Sequence, residues 1–199
     1  LPYLLVTLGL VGTLFFALQV MNVKALEPTK TFGLSALAKY DSRLRVYPSL
    51  KGSVPTYISI PAQNINAPVI TVGKASDGSI QMPPVLQWTT GWYQYSPTPG
   101  QIGPSIIVGH VDNYKNISVF WRLRYLVAGN LINITRADGS TAVFKVTALQ
   151  QFPQNTFPSA EVYGNIPNAG LRLITCGGTF STATESYDQN TVVYATFVS

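Results

Sequence analysis

From Lys51 onward the sequence is a succession of short β-type runs, each cut off within a few residues by Pro, Gly, Asn or Asp. That texture excludes long helices and leaves a β architecture. The runs are Thr56–Ile60, Ala67–Val72, Ser79–Met82, Ser105–His110, Asn130–Ala137, Thr141–Phe152, Leu171–Cys176 and Thr191–Val198. Asp138-Gly139 predicts a tight two-residue hairpin turn, because Asp-Gly supplies the positive φ angles such a turn needs. After it, Ala142, Phe144, Val146 and Ala148 alternate with more polar neighbours, the period of a half-buried strand. Only Ser118–Leu126 and Pro158–Gly164 read as helices, and both are short. Eight short strands with polar turns close most economically into a β-barrel, which leaves no sheet edge exposed.

The first fifty residues have a different texture. Residues 1–21 carry no charge. At ~1.5 Å per residue such a run makes a helix of about 30 Å, the thickness of a bilayer core. A signal-peptide core is shorter, about 7–15 residues, and ends in small residues, whereas QVMNVKAL offers a poor cleavage site. A buried soluble helix would show a polar stripe. The expected organisation is therefore a transmembrane anchor over 1–21, a partly helical connector over 22–50 and a mainly β, barrel-forming domain over 51–199.

Charge supports that division. The net charge is +5, of which +3 falls within residues 1–50. An excess beside a membrane span suits anionic headgroups rather than a nucleic-acid surface, so no nucleic-acid partner is expected. By the positive-inside rule these cations alone would put the barrel in the cytoplasm, but one flank does not fix an orientation. One cysteine excludes an intrachain disulfide. One cysteine with one histidine makes a zinc site improbable, and no calcium-loop pattern of acids occurs, so no metal or cofactor is expected.

Cys176 ends the apolar run LRLITC and is followed by Gly177 and Gly178. Strand alternation puts Arg172, Ile174 and Cys176 on one face and Leu171, Leu173 and Thr175 on the other. The leucine face suits a core, and the face with Arg172 suits a groove or solvent. The two glycines allow a sharp turn and close approach of a ligand. His110 also ends an apolar run after a glycine. A thiol needs a base or a cation beside it to become a useful nucleophile at neutral pH, and these two residues are the minimum pair. Packing is the bland reading of both. Asp112, two residues beyond His110, reads as a loop carboxylate. Trp88, Trp92, Tyr93 and Tyr95 form an aromatic cluster that suits core and loop packing or a groove wall.

The surrounding motifs narrow the choice. RLITCGG, GHVD and the stretch FWRLRYLVAGNLINITRADGS together resemble the sortases, membrane-anchored cysteine transpeptidases of bacterial cell envelopes. The resemblance runs from Pro55 to Val198. Cys176 followed by two glycines, and Gly91-Trp92-Tyr93, are most similar to the class F group, with class E less close. The resemblance implies an eight-stranded sortase-type β-barrel. It implies cleavage of an LPxTG-type sorting signal between Thr and Gly, with transfer of the Thr carbonyl to an amine of a cell-wall precursor or a pilin lysine. Cys176 would be the attacking thiolate and His110 the acid and base. It further implies a single-pass membrane protein with its barrel outside the cytoplasm.

One expected residue is missing. The family carries an arginine some ten to fourteen residues after the cysteine, where it stabilises the substrate oxyanion. Here that window is Ser186–Asn190, and no Arg or Lys follows Cys176 at all. The alternatives are Arg172, as oxyanion donor or groove wall, then Arg122, then backbone N–H groups or the amides of Gln189 or Asn190. The same absence supports a second reading, a barrel that binds a sorting signal or envelope partner without turnover. A third reading is a cell-wall transpeptidase acting on D-amino acids. Such enzymes keep His and Cys close in sequence, unlike His110 and Cys176.

Overall fold

The computed structural model describes residues 47–199. The expected span over 1–21, and most of the connector, lie outside the described residues. Among the described residues, no helix is long and apolar enough to cross a membrane.

Eight strands form the domain: β1 Pro55–Ile60, β2 Ile65–Val72, β3 Thr90–Tyr93, β4 Gly103–Val108, β5 Leu131–Arg136, β6 Thr141–Pro153, β7 Ala169–Ser181 and β8 Ser186–Phe197. They close into a barrel in the order β1-β2-β3-β4-β7-β8-β6-β5. The β2–β3 and β4–β7 joins are parallel, and the others are antiparallel. Short 3-10 turns occupy Pro61–Gln63, Trp121–Tyr125 and Gln154–Thr156, and one short α-helix spans Ser159–Tyr163.

Alternation divides the apolar residues between two cores. Ile58, Ile60, Ile107, Ile132, Ile134, Phe144, Leu171, Leu173 and Val193 fill the barrel interior. Leu171 and Leu173 thus take the inward face, as their spacing predicts. Ile106, Val108, Ile174 and Val192 point outward instead, and pack with Val72 and with Val162 of the short helix.

Three local expectations are corrected. Ser79–Met82 is not a strand. It contributes a single bridge, Lys74 to Ile80, closing a turn in which Asp77 accepts hydrogen bonds from the amide and hydroxyl of Ser79. Pro83 and Pro84 follow at once and remove the donors a longer ladder would need. The strand that replaces it is β3, which passes between β2 and β4. The third correction is the β5–β6 turn. Gly139 alone has positive φ, at 83°. Its amide donates to Arg136 O, and Arg136 N donates to Ser140 O. The loop is therefore three residues, a turn followed by a left-handed glycine, rather than a two-residue turn.

The chain entering the barrel is tied to this hairpin. Buried Arg136 donates to the Lys51 carbonyl and to Ser140 Oγ, and Ala137 N donates to Val54 O. Leu50 N donates to Gly100 O on the other side.

Candidate active site

The parallel β4–β7 register pairs Ile106 with Arg172 and Val108 with Ile174. The antiparallel β7–β8 register pairs Arg172 with Tyr194, Ile174 with Val192 and Cys176 with Asn190. The outer face therefore reads as rows, about 6.6 Å apart along the strands. One row is Ile106, Arg172 and Tyr194, and the next is Val108, Ile174 and Val192. One step further along β7, Cys176 pairs with Asn190 on β8, while β4 has ended at Val108 and His110 follows two residues later.

Backbone bonds fix the chain where it leaves β4. Gly109 N donates to Ile174 O at 3.2 Å, and Phe120 N donates to His110 O at 2.9 Å. A Cβ at position 109 would come within 2.7 Å of the Phe120 ring, so only glycine lets the strand lie this close to Phe120. His110 and Cys176 are both half-buried and line one cleft of about 220 Å³ with Asp112, Gln154, Phe180 and Tyr187. Asp112, Phe180, Glu185 and Tyr187 also line an adjoining cavity of about 670 Å³, so the cleft continues past the β7–β8 turn.

The field around Cys176 does not favour a thiolate. Burial pushes its pKa up, and the Asp112 carboxylate pushes it further. Asp112 in turn accepts a hydrogen bond from the Tyr187 hydroxyl. Burial and that bond push the Tyr187 pKa up to about 12. Burial and the carboxylate both favour the neutral Cys176 thiol over the thiolate.

Neither expected arginine lies in this cleft. Arg172 is buried rather than facing a groove or solvent. Its guanidinium sits over the Tyr194 ring at 4.5 Å, and its Nη1 donates to Leu171 O at 3.2 Å. It belongs two rows from Cys176, roughly 13 Å along the strand. Arg122 is exposed and lines a separate depression with Trp88, Ile117 and Trp121. The cation whose field reaches Tyr187 is Arg124, which stacks on the Trp121 ring at 4.1 Å.

The amides are closer. Asn190 is the cross-strand partner of Cys176, and such partners have Cβ atoms about 4.5–5.5 Å apart. Gln189 leans over Gly178 instead. Asp188 accepts from Thr179 N at 2.7 Å and so is turned to the backbone after the cysteine.

The two glycines also differ from expectation. β7 runs on through them, with an irregular register between Gly177 and Phe180 rather than a sharp turn. Gly178 has a φ of 76°, and a Cβ there would meet Asp188 Oδ1 at 2.0 Å. The close approach they permit is that of a neighbouring side chain.

Of the aromatic cluster, Trp92 is core, Tyr93 packs on the outer apolar cluster, and Trp88 and Tyr95 are exposed. Among the described residues, no three His, Cys, Asp or Glu side chains are grouped to hold a metal ion.

Tyr187 and the rank of Asn190 escape sequence reasoning. Tyr187 lies beyond the irregularity in the β7–β8 register, and Asn190 takes its place only through the pairing of β8 with β7. The usable signal was Asn190-Thr-Val-Val, whose alternation with Val192 fixes its face.

Comparison with known proteins adds the following. A family model described as the sortase domain matches residues 58–198. No curated protein sequence matches. Among solved structures, the SrtA sortase from Actinomyces oris is 24% identical with a TM-score of 0.55, over 76% of this chain and 84% of that one. Sortase C1 from Streptococcus agalactiae is 20% identical with a TM-score of 0.56, over 88% of this chain and 79% of that one. A lid mutant of sortase A from Corynebacterium diphtheriae is 20% identical with a TM-score of 0.54, over 75% and 73%. At these identities the structural likeness establishes the shared fold.

Proposed function

Because this chain belongs to the sortase family, we propose that it is a cysteine transpeptidase that cleaves an LPxTG-type sorting signal and passes the acyl group to an amine. The observation that carries this reading is the single cleft that both His110 and Cys176 line, with Asn190 the cross-strand partner of Cys176. The anchor over 1–21 and an extracytoplasmic barrel are part of the proposal. So is kinship with class F, which rests on Cys176-Gly177-Gly178 and Gly91-Trp92-Tyr93.

The chemistry follows from the charges. The Cys176 sulfur attacks the Thr carbonyl carbon while His110 takes the thiol proton, which suits a thiol whose pKa is raised. Electrons move onto the carbonyl oxygen. His110 then protonates the glycine nitrogen as the C–N bond breaks, leaving a thioester. An incoming amine attacks that thioester, gives a proton to His110 and releases the thiol. In place of an arginine, the Asn190 amide donates to the developing oxyanion from across the strand pair. A neutral donor is weaker there than a guanidinium.

Incubation with an LPxTG peptide and an amine tests the reading. Cleavage and an amine adduct are expected from the unmodified chain, and neither from Cys176→Ala. Absence of cleavage by the unmodified chain across peptide variants and pH rejects it. Asn190→Ala is expected to lower kcat about 10²-fold, the loss typical of one oxyanion donor.

The cleft without an arginine favours one competing reading, a sorting-signal-binding barrel without turnover. A thiol-reactive probe separates the two. Labelling of Cys176 that slows in His110→Ala supports the enzyme, whereas slow labelling independent of His110 supports the binding module.

A further inference from the structure

The β2–β3 connection, residues 73–89, makes a hydrogen bond to the site. His110 Nε2 lies 2.8 Å from the carbonyl oxygen of Pro83. A carbonyl only accepts, so Nε2 carries a proton, and in the neutral ring Nδ1 holds the free lone pair.

The segment is built to present that carbonyl. Its near end is fixed by Gln81 N donating to Gly73 O at 2.9 Å. Its far end is fixed by the Trp88 indole donating to Asn66 O at 2.9 Å and by Thr89 Oγ1 donating to Pro68 O at 3.0 Å. Within residues 81–88, only Pro83 is buried. The Pro83 ring locks its own φ, and Pro84 bars the residue before it from the helical region. The two prolines thus restrict both dihedrals flanking the carbonyl. An ordinary loop would lose about 1–2 kcal/mol of backbone entropy per residue to hold such a pose. The obvious alternative orienter, Asp112, is engaged by Tyr187.

We propose that Pro83 is a positioning residue: its carbonyl holds the His110 ring by Nε2–H, and Nδ1 is the nitrogen that exchanges protons with Cys176 and with the departing and arriving amines. The proposal rests on Cys176 and His110 being the reacting pair. In triads of this logic a carboxylate or amide orients the base through its second nitrogen. Here a backbone carbonyl does so, and Pro84 keeps it still. The Sγ proton moves to Nδ1 as the C–S bond forms. It leaves for the amine nitrogen as the C–N bond breaks. In the second half Nδ1 takes a proton from the attacking amine and returns it to Sγ. Nε2 stays protonated throughout, so the ring need not turn between steps.

His110 is the chain's only histidine, so the full chain grown on ¹⁵N-histidine gives the signals of a single ring. The expected spectrum has a pyridine-type Nδ1 and a pyrrole-type Nε2 whose proton is protected from exchange with water. In a Pro83→Gly/Pro84→Ala double variant, exchange of that proton is expected to quicken at least tenfold and kcat to fall about tenfold, with KM for the peptide little changed. Pro83→Ala, which keeps Pro84 and its restraint, should retain most of the protection. A proton on Nδ1 in the unmodified chain, or an Nε2 proton exchanging as fast as in free histidine, overturns the proposal whether or not the variants fold. A folded double variant with unaltered ring signals overturns it too. A protected Nε2 proton in a chain that cleaves no peptide would sink the transpeptidase reading while upholding the Pro83–His110 bond.

Discussion

Cys176 sits in a field that opposes its charged form. Burial and the Asp112 carboxylate act in the same direction. Removing the Asp112 charge makes the thiolate less costly, so the thiol pKa must fall in Asp112→Asn. At any pH below that pKa, alkylation of Cys176 by iodoacetamide is then expected to run several-fold faster than in the unmodified chain. The difference should vanish once the pH is high enough to ionise both thiols. Arg172 has the opposite assignment. Its stem and guanidinium are packed on Tyr194, and a desolvated cation–π contact is worth about 2 kcal/mol. Arg172→Ala is expected to lower stability by about that amount in urea unfolding while leaving the Cys176 alkylation rate unchanged. Cys176 and His110 stood out in the sequence as a candidate pair because each ends an apolar run beside glycine, and both line one cleft. The fate of Arg172 was not. Alternation gives its face correctly, but that face is covered by Tyr194 and the short helix near Glu161, which lie far away in sequence.

The cleft forms where the interiors of two strands meet the end of a third: Cys176 and Asn190 lie within β7 and β8, and His110 beyond β4. His110 lies two residues past β4, and its pose depends on Gly109 lying against Phe120. Gly109→Ala overpacks that contact and is expected to cost about 1–3 kcal/mol, read as a lower urea midpoint. It should also slow His110-dependent labelling of Cys176, because the backbone carrying the imidazole must shift. Seven of the eight strands could be located in the sequence by their apolar alternation. The eighth, β3, was hidden because it is four residues long and contains Gly91, which the tight fit against Val72 requires. Ser79–Met82 looked equally strand-like, and only the two prolines after it decide otherwise.

Every strand of the barrel contributes at least one residue to the interior core. Leu173 is fully buried there, and Leu173→Ala is expected to cost about 2–5 kcal/mol in urea unfolding. A β fold was legible from the spacing of turn residues. Closure was inferred only because open edges are unfavourable, and the strand order could not be read, since β4 joins β7, β8 joins β6 and β5 joins β1, none of them neighbours in sequence. That order has a consequence in time. β8 follows the other barrel strands in the chain, yet it seats between β7 and β6 and carries Asn190 opposite Cys176. Its pairing with β7 is a local hairpin, but its pairing with β6 spans the whole β6–β7 connection, and pairings of that range form slowly. The seating of Ser186–Phe197 therefore closes the barrel and sets Asn190 opposite Cys176 and Tyr187 on Asp112 in one event.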